Sequence, residues 1–270
     1  MSKPFFSIIT ITYNSSATVE RTIKSVLSQT YTDYEYIVVD GASTDGTIDI
    51  IKKYEPQFEG RLKWKSEPDT GIYNAMNKGI SRSVGNIIGI VNSDDWLEPT
   101  ALQSMAVLIG NNNDYSNKVF CGSMVFHYND GTELYYKADK SKFDEGAKSY
   151  SLNRGLFHPS MYVPKIIYDK LGCFDERIRV SADVDFIFRC YDAGVDFIFD
   201  DILISHMTDG GASNQIDLGV FKRDWSLFLR NRKKSGMALY YPLYKRYLVL
   251  FVKKRVPLSL LKKYRNFKLR

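Results

Sequence analysis

Several features that would place a chain quickly are missing here. There are three cysteines, Cys121, Cys173 and Cys190, odd in number, widely spaced and without a CxxC pair. A zinc knuckle and a disulfide framework are therefore not indicated, and a reduced, cytoplasmic setting fits. No apolar run approaches the roughly 18 residues of a membrane-spanning helix. The opening stretch MSKPFFSIITITYN has a short apolar run and no cleavage-site pattern, so it is read as a first strand and not as a signal peptide. No GxGxxG follows that strand, and GxxxxGK[ST] occurs nowhere. Hydride transfer on a Rossmann-bound dinucleotide and P-loop ATP hydrolysis both lose support.

Of the 270 residues, 44% are hydrophobic and 14% aromatic, enough for one large domain with an appendage or for two small ones. Charge is divided unevenly. Of 37 Lys/Arg and 31 Asp/Glu, 16 and one fall in residues 222–270, leaving 21 and 30 in residues 1–221. The body is thus near −9 and the tail near +15, two pieces suited to different partners. The division expected is a body over 1–221, in halves 1–115 and 116–221, and a basic tail over 222–270.

Apolar runs over Phe6–Ile11, Tyr36–Val39, Leu62–Lys65 and Ile87–Val91 predict strands. Between them Val19, Ile23, Val26 and Leu27, then Ile48, Ile51 and Tyr54, then Ile72, Ala75, Met76 and Ile80 fall at helical spacing. Strands alternating with helices imply βαβ units and a mainly parallel α/β sheet. Each strand runs out into polar residues: Thr12 and Asn14, Asp40, Asp69 nearby, then Asn92 and Asp94. In open α/β sheets ligands bind at that edge.

The run IIGIVNSDDW, Ile87 to Trp96, is the most informative stretch. A buried strand stops at two carboxylates and an amide, and Pro99 then begins a helix through Ala101, Leu102, Met105 and Leu108. Clustered carboxylates suit a hard cation such as Mg²⁺ or Mn²⁺, which also binds phosphate oxygens. A solvated acidic turn capping the helix is the plainer reading.

Four blocks, SIITITYN at 7–14, VVDGASTDGT at 38–47, SEPDTGIYNAMNKGI at 66–80 and IVNSDDW at 90–96, resemble in order the signature blocks of family 2 glycosyltransferases, nearest to bacterial polysaccharide-assembly transferases. The resemblance covers about residues 5–215. It implies a GT-A fold and inverting transfer from a nucleotide-diphosphate sugar, usually a UDP-sugar, to a glycan or lipid-linked glycan acceptor, with Mn²⁺ or Mg²⁺ as cofactor. By the same resemblance Thr12, Tyr13 and Asn14 line the base pocket, Asp40 hydrogen-bonds the base, and Asp69 sits beside the nucleoside. The DxD motif falls on Asn92, Ser93 and Asp94, with Asp94 on the metal. Asn92 departs from that motif; its amide oxygen still accepts a hydrogen bond, with one charge fewer for a metal.

The second half predicts a hairpin, Val119–Phe126 and Glu133–Tyr136 around Asn129-Asp130-Gly131, then an irregular polar loop over 138–157. FHPSMYVPKIIYDKLGCFDE at 157–176 resembles the family's acceptor side, with His158 open to a structural or a site role. A helix runs from Ser181 to a stop at Gly194. The family's Glu-Asp pair falls on Ala182 and Asp183, which makes Asp183 the general base that takes the acceptor proton, with Asp185 in reserve. A helix-terminal charge is the alternative for Asp183. His206, at the end of a strand-like run from Phe197, matches a metal-binding His found in some members; a structural His fits equally. Thr208–Ser213 has the make-up of a lid. Lys222-Arg223-Asp224-Trp225 lacks the QxxRW pattern of processive synthases, which favours single-sugar transfer.

From Met237 to Arg270 tyrosines and phenylalanines alternate with Lys and Arg. Such a helix suits an anionic membrane surface, and so a peripheral position on the inner face of the cell membrane. A charged helix packed on the body is the alternative. No recognition motif accompanies the charge, so no nucleic-acid partner is expected. A nucleotide-sugar-binding protein with weak turnover, or one acting through its tail, is the competing function class.

Overall fold

The computed structural model describes residues 3–148, 155–209 and 218–231. In chain order the first half is β1 (Phe6–Thr12), α1 (Val19–Leu27), β2 (Tyr34–Asp40), α2 (Thr47–Tyr54), β3 (Leu62–Ser66), α3 (Ile72–Arg82), β4 (Ile87–Ile90), β5 (Trp96–Leu97) and α4 (Ala101–Gly110). The second is β6 (Lys118–His127), β7 (Glu133–Tyr136), α5 (Lys140–Lys148), β8 (Met161–Pro164), α6 (Lys165–Leu171), α7 (Ala182–Asp192), β9 (Asp196–Thr208) and α8 (Leu218–Asn231). One nine-stranded sheet runs β3-β2-β1-β4-β8-β6-β9-β5, with β7 paired to β6. Strands β1 to β4 are mutually parallel, β8 is antiparallel to β4, and β9 is parallel to β6.

The continuous apolar runs of β1 and β2 are explained by their burial on both faces, all seven residues of each being buried. Alternation assigns the faces. Ile9, Ile11, Ile37, Val39, Ile88 and Ile90 enter the core shared with α3, α6, α7 and α8. Phe6, Ile8, Tyr36, Val38, Ile87 and Val91 enter the core under α1, α2 and α4. A fully buried aliphatic side chain in either contributes about 1.5–3 kcal/mol. Helix α3 lies very close on β1: a Cβ at Gly79 would stand 2.4 Å from Ile9 Cγ2. That approach fixes the height of the β3–α3 loop over the strand ends.

The structure differs from three expectations. Trp96–Leu97 is a short strand, antiparallel to β9 with Trp96 opposite His206, so α4 starts only at Ala101, behind its cap residue Thr100. Two residues are too few to register as a pattern. The stretch 138–157 contains α5, which buries Phe143 and Ala147 one turn apart among charged residues; two apolar positions are too few to show periodicity. The boundary at 221/222 falls inside α8, whose Trp225, Phe228 and Leu229 are buried in the main core. Their i, i+3, i+4 spacing outweighs the surrounding charge. The tail over 237–270 and most of the Thr208–Ser213 loop lie outside the described residues.

Candidate active site

The carboxyl ends of β1 to β4 carry four loops that hold one another. Asn14, with a left-handed φ of 47°, donates its backbone N–H to Ser43 Oγ (2.8 Å) and accepts Thr44 N–H on Oδ1 (2.9 Å). Asn is among the few side chains at ease in that conformation. Ser15 bonds Thr47 Oγ1 through its backbone N–H and Ser93 Oγ through its hydroxyl (2.9 Å). Arg21 reaches from α1 to donate to the Asp94 carbonyl at 2.7 Å and stacks over Trp96. The sequence-expected donor residues Tyr13, Asn14, Asp40, Asp69, Asn92, Ser93 and Asp94 are thus on one edge of the sheet.

Asp40 and Thr12 lie in a hydrogen-bond network within the chain. Asp40 is fully buried, and both its oxygens are used within the chain. Oδ1 accepts from the hydroxyls of Thr12 (2.8 Å) and Ser43; Oδ2 accepts Ser43 N–H (2.9 Å) and the Ser66 hydroxyl (2.7 Å). Burial alone would raise this carboxyl, but the Ser43, Ser66 and Thr12 bonds outweigh it and hold it below its ordinary value. These four bonds pin the ends of β1, β2 and β3 together. Thr12, 3% exposed, is part of that clip.

The side chains available beside it are Tyr13 and Asp69. Tyr13 is 66% exposed. Asp69 accepts Gly71 N–H on Oδ1 at 2.9 Å, while its Oδ2 lies 2.5 Å from where a Cβ on Gly41 would stand, with Tyr13 Cδ2 at 3.3 Å from the same point. Gly41 is therefore required for close approach: it lets a carboxylate from the β3–α3 loop lie over the end of β2.

At the end of β4 two carboxylates crowd together. Asp95, 1% exposed, accepts Asn92 Nδ2–H (3.1 Å) and Thr208 N–H (3.2 Å). Burial, then the neighbouring charge of Asp94, pushes it up to about 8. Burial likewise raises Asp94, against the pull of its own amide and Arg21. Asn92 Oδ1 is buried and has no hydrogen-bond partner. Such an orphan is costly unless something else binds it. Among the described residues no three His, Cys, Asp or Glu side chains converge as a metal cage. Two carboxylates and an amide oxygen nonetheless fit Mg²⁺ or Mn²⁺, which take few protein ligands and complete their shell with phosphate and water. Asp95 was not among the residues the resemblance implied; its signal was adjacency to Asp94.

His206 lies in a chain of side-chain contacts. Its Nε2 contacts Glu98 Oε1 and its Nδ1 lies 2.9 Å from His127 Nε2. His127 Nδ1 in turn lies 3.0 Å from Glu133, and Trp96 stacks on the His206 ring at 4.8 Å. Both ring nitrogens of His206 are thus engaged by neighbouring side chains.

Asp183 sits in the first turn of α7. The Tyr73 hydroxyl from α3 lies 2.8 Å from Asp183 Oδ1 and 2.9 Å from the Val180 carbonyl. His158 is half-buried in the same wall, edge-on to Phe174. Burial lowers its imidazole, against the opposing charge of Asp183, so the ring is neutral at pH 7. Asp185 is 1% exposed and paired with Arg189 at 2.9 Å. Tyr73 escaped sequence reasoning because it falls among the apolar positions of its helix.

Comparisons with known proteins agree. The profile of glycosyl transferase family 2 matches residues 7–165. A PGL/p-HBAD biosynthesis glycosyltransferase of Mycobacterium bovis is 31% identical over 224 residues, 80% of this chain and 82% of that one. An uncharacterised glycosyltransferase of Methanocaldococcus jannaschii is 30% identical over 192 residues, 70% and 66% of the two chains. Among solved structures, S. aureus TarS 1–349 in complex with UDP-GlcNAc superposes with a TM-score of 0.66 at 19% identity, covering 94% of this chain and 76% of that one. The mannosyltransferase PcManGT of Pyrobaculum calidifontis, in complex with GDP-Man and Mn²⁺, gives 0.63 at 16% identity, covering 100% and 82%. The likeness to both structures is one of fold: a GT-A sheet flanked by helices.

Proposed function

The chain belongs to glycosyl transferase family 2, and from that premise we propose that it is a metal-dependent, inverting enzyme. It would move one sugar from a UDP-sugar to a hydroxyl of a glycan or lipid-linked glycan, in surface polysaccharide assembly. The observation that carries this is the orphaned Asn92 Oδ1 beside the raised Asp94 and Asp95 carboxylates: an oxygen cluster short of a cation, at the strand edge where α/β folds bind ligands. The fold shared with proteins solved with UDP-GlcNAc and with GDP-Man and Mn²⁺ supports the donor class and the metal.

In this reading Tyr13 stacks on the base and Asp69 Oδ2 accepts its N–H. Asn92, Asp94 and Asp95 would hold the cation, which when bound neutralises the leaving diphosphate as a Lewis acid. The acceptor hydroxyl attacks the anomeric carbon from the face opposite the diphosphate. As the new C–O bond forms the bond to the diphosphate breaks, and Asp183 takes the hydroxyl proton. Attack opposite the leaving group inverts the centre. Among the described residues no helix is long and apolar enough to cross a membrane, and the basic, aromatic tail is proposed to hold the enzyme on an anionic surface.

Calorimetry of UDP binding with and without Mn²⁺, on wild type and Asp94→Ala, tests the site. Metal-dependent binding that disappears in Asp94→Ala is expected, as is loss of UDP-sugar turnover in Asp183→Asn. Failure of UDP, GDP and dTDP alike to bind would overturn the reading.

A further inference from the structure

The base does not stand alone. Helix α7 has Ser181 at its N-cap position, but the Ser181 side chain makes no capping bond. The group at that end is instead Tyr73, from a helix 110 residues earlier. Tyr73 is 7% exposed and wedged against Phe174, with ring centroids 5.5 Å apart. Its neighbours on α3 grip the segment leading to α7. Asn74 and Asn77 donate to Glu176 at 3.0 and 2.9 Å, and Asn77 also exchanges hydrogen bonds with the backbone of Phe174. The block IYNAMN is thus a staple from the donor half to the segment before the base, and Tyr73 is the member that touches the carboxylate.

We propose that Tyr73 is a positioning residue for Asp183: its hydroxyl holds Oδ1, so that Oδ2 is the oxygen presented to the acceptor hydroxyl. The proposal rests on Asp183 being the base. A phenol has one hydrogen to donate, and of its two neighbours the carboxylate is the stronger acceptor. Burial, and then the charge of Asp183, holds the phenol well above its ordinary value, so it remains a donor throughout the working pH range. Because α3 also follows the Asp69 loop, the same helix sets both the proposed nucleoside contact and the orientation of the base. Donor and base are then held in one frame, the condition for an in-line attack.

The test is a carbon-13 NMR titration of full-length protein labelled at aspartate, with the Asp183 signal assigned by its loss in Asp183→Asn. Losing one hydrogen bond to the ionised form disfavours that form. Tyr73→Phe is expected to move the Asp183 midpoint up by about one pH unit, a tenfold change, with UDP affinity within about twofold of wild type. Asn77→Ala loosens the same staple without touching the carboxylate; it should lower Tm and leave the midpoint in place. An unmoved midpoint in Tyr73→Phe, or an equal shift in Asn77→Ala, overturns the proposal. If Tyr73→Phe does not fold, 3-fluorotyrosine placed at position 73 is a stronger donor and should move the midpoint down; no movement is again fatal. The base itself is judged separately: a fully active Asp183→Asn would refute it whatever the titration shows.

Discussion

A cation at the end of β4 should displace a proton from Asp95. In the folded chain this carboxyl is pushed from 3.8 to about 8, first by burial and then by Asp94. Between those values the native protein keeps a proton there that the unfolded chain has lost. The sign follows: without a cation the contribution of Asp95 to native stability is fully present below about pH 4 and falls as pH rises from about 4 to 8, by on the order of 4 kcal/mol at pH 7. A divalent ion reverses the balance, since it binds the ionised form. At pH 7 the free site is about nine-tenths protonated, so binding should release close to one proton per ion, and almost none at pH 9.5. Apparent Mn²⁺ affinity should tighten about tenfold per pH unit up to pH 8 and then level off. Calorimetry at pH 7 in two buffers of different ionisation enthalpy counts the protons directly. Asp95→Asn should abolish the buffer dependence and remove the fall in stability between about pH 4 and 8 that Asp95 contributes. Heats that do not depend on the buffer, with equal Mn²⁺ affinity at pH 6.5 and 8.5, would refute the reasoning.

Other substitutions separate the site residues from the scaffold. Asp40→Asn puts an amide where four donors converge; it should cost about 2–4 kcal/mol in urea unfolding, and an unchanged midpoint would show the clip to be dispensable. Gly41→Ala places a methyl 2.5 Å from Asp69 Oδ2, so the carboxylate must swing away; UDP affinity should fall about tenfold, the size of one hydrogen bond to a charged group, with Tm little changed. His206→Gln should leave the Mn²⁺ dependence of UDP binding intact while lowering Tm, because its nitrogens serve Glu98 and His127; a loss of Mn²⁺ affinity would return His206 to the metal.

Much of the first half was readable because strand and helix periods differ and because buried parallel strands leave long apolar runs. Phe6–Ile11 and Ile87–Val91 could be little else, and the polar residues after them marked the ligand edge. Elements whose burial depends on distant partners were less legible. Trp96–Leu97 is a strand only because β9 lies beside it. The helix α5 shows its purpose only where Phe143 meets Phe197 and Phe199.

The sequence by itself determined which chemistry is carried and on which edge of the sheet. Local spacing dictates strand ends, and the acidic and amide side chains there are few. It did not determine which of those groups are free to act. Asp40 and His206 looked like ligands as strongly as Asp69 and Asp94. Three-dimensional packing brings Thr12, Ser43 and Ser66 to Asp40, and Glu98 and His127 to His206, from as far as 108 residues away. A carboxylate or imidazole that packing surrounds with donors and acceptors serves its own chain first, which residue type alone does not reveal. The same packing turns Tyr73, a helix-core position by sequence, toward Asp183. Tertiary structure therefore decides by contact what sequence can only nominate by type.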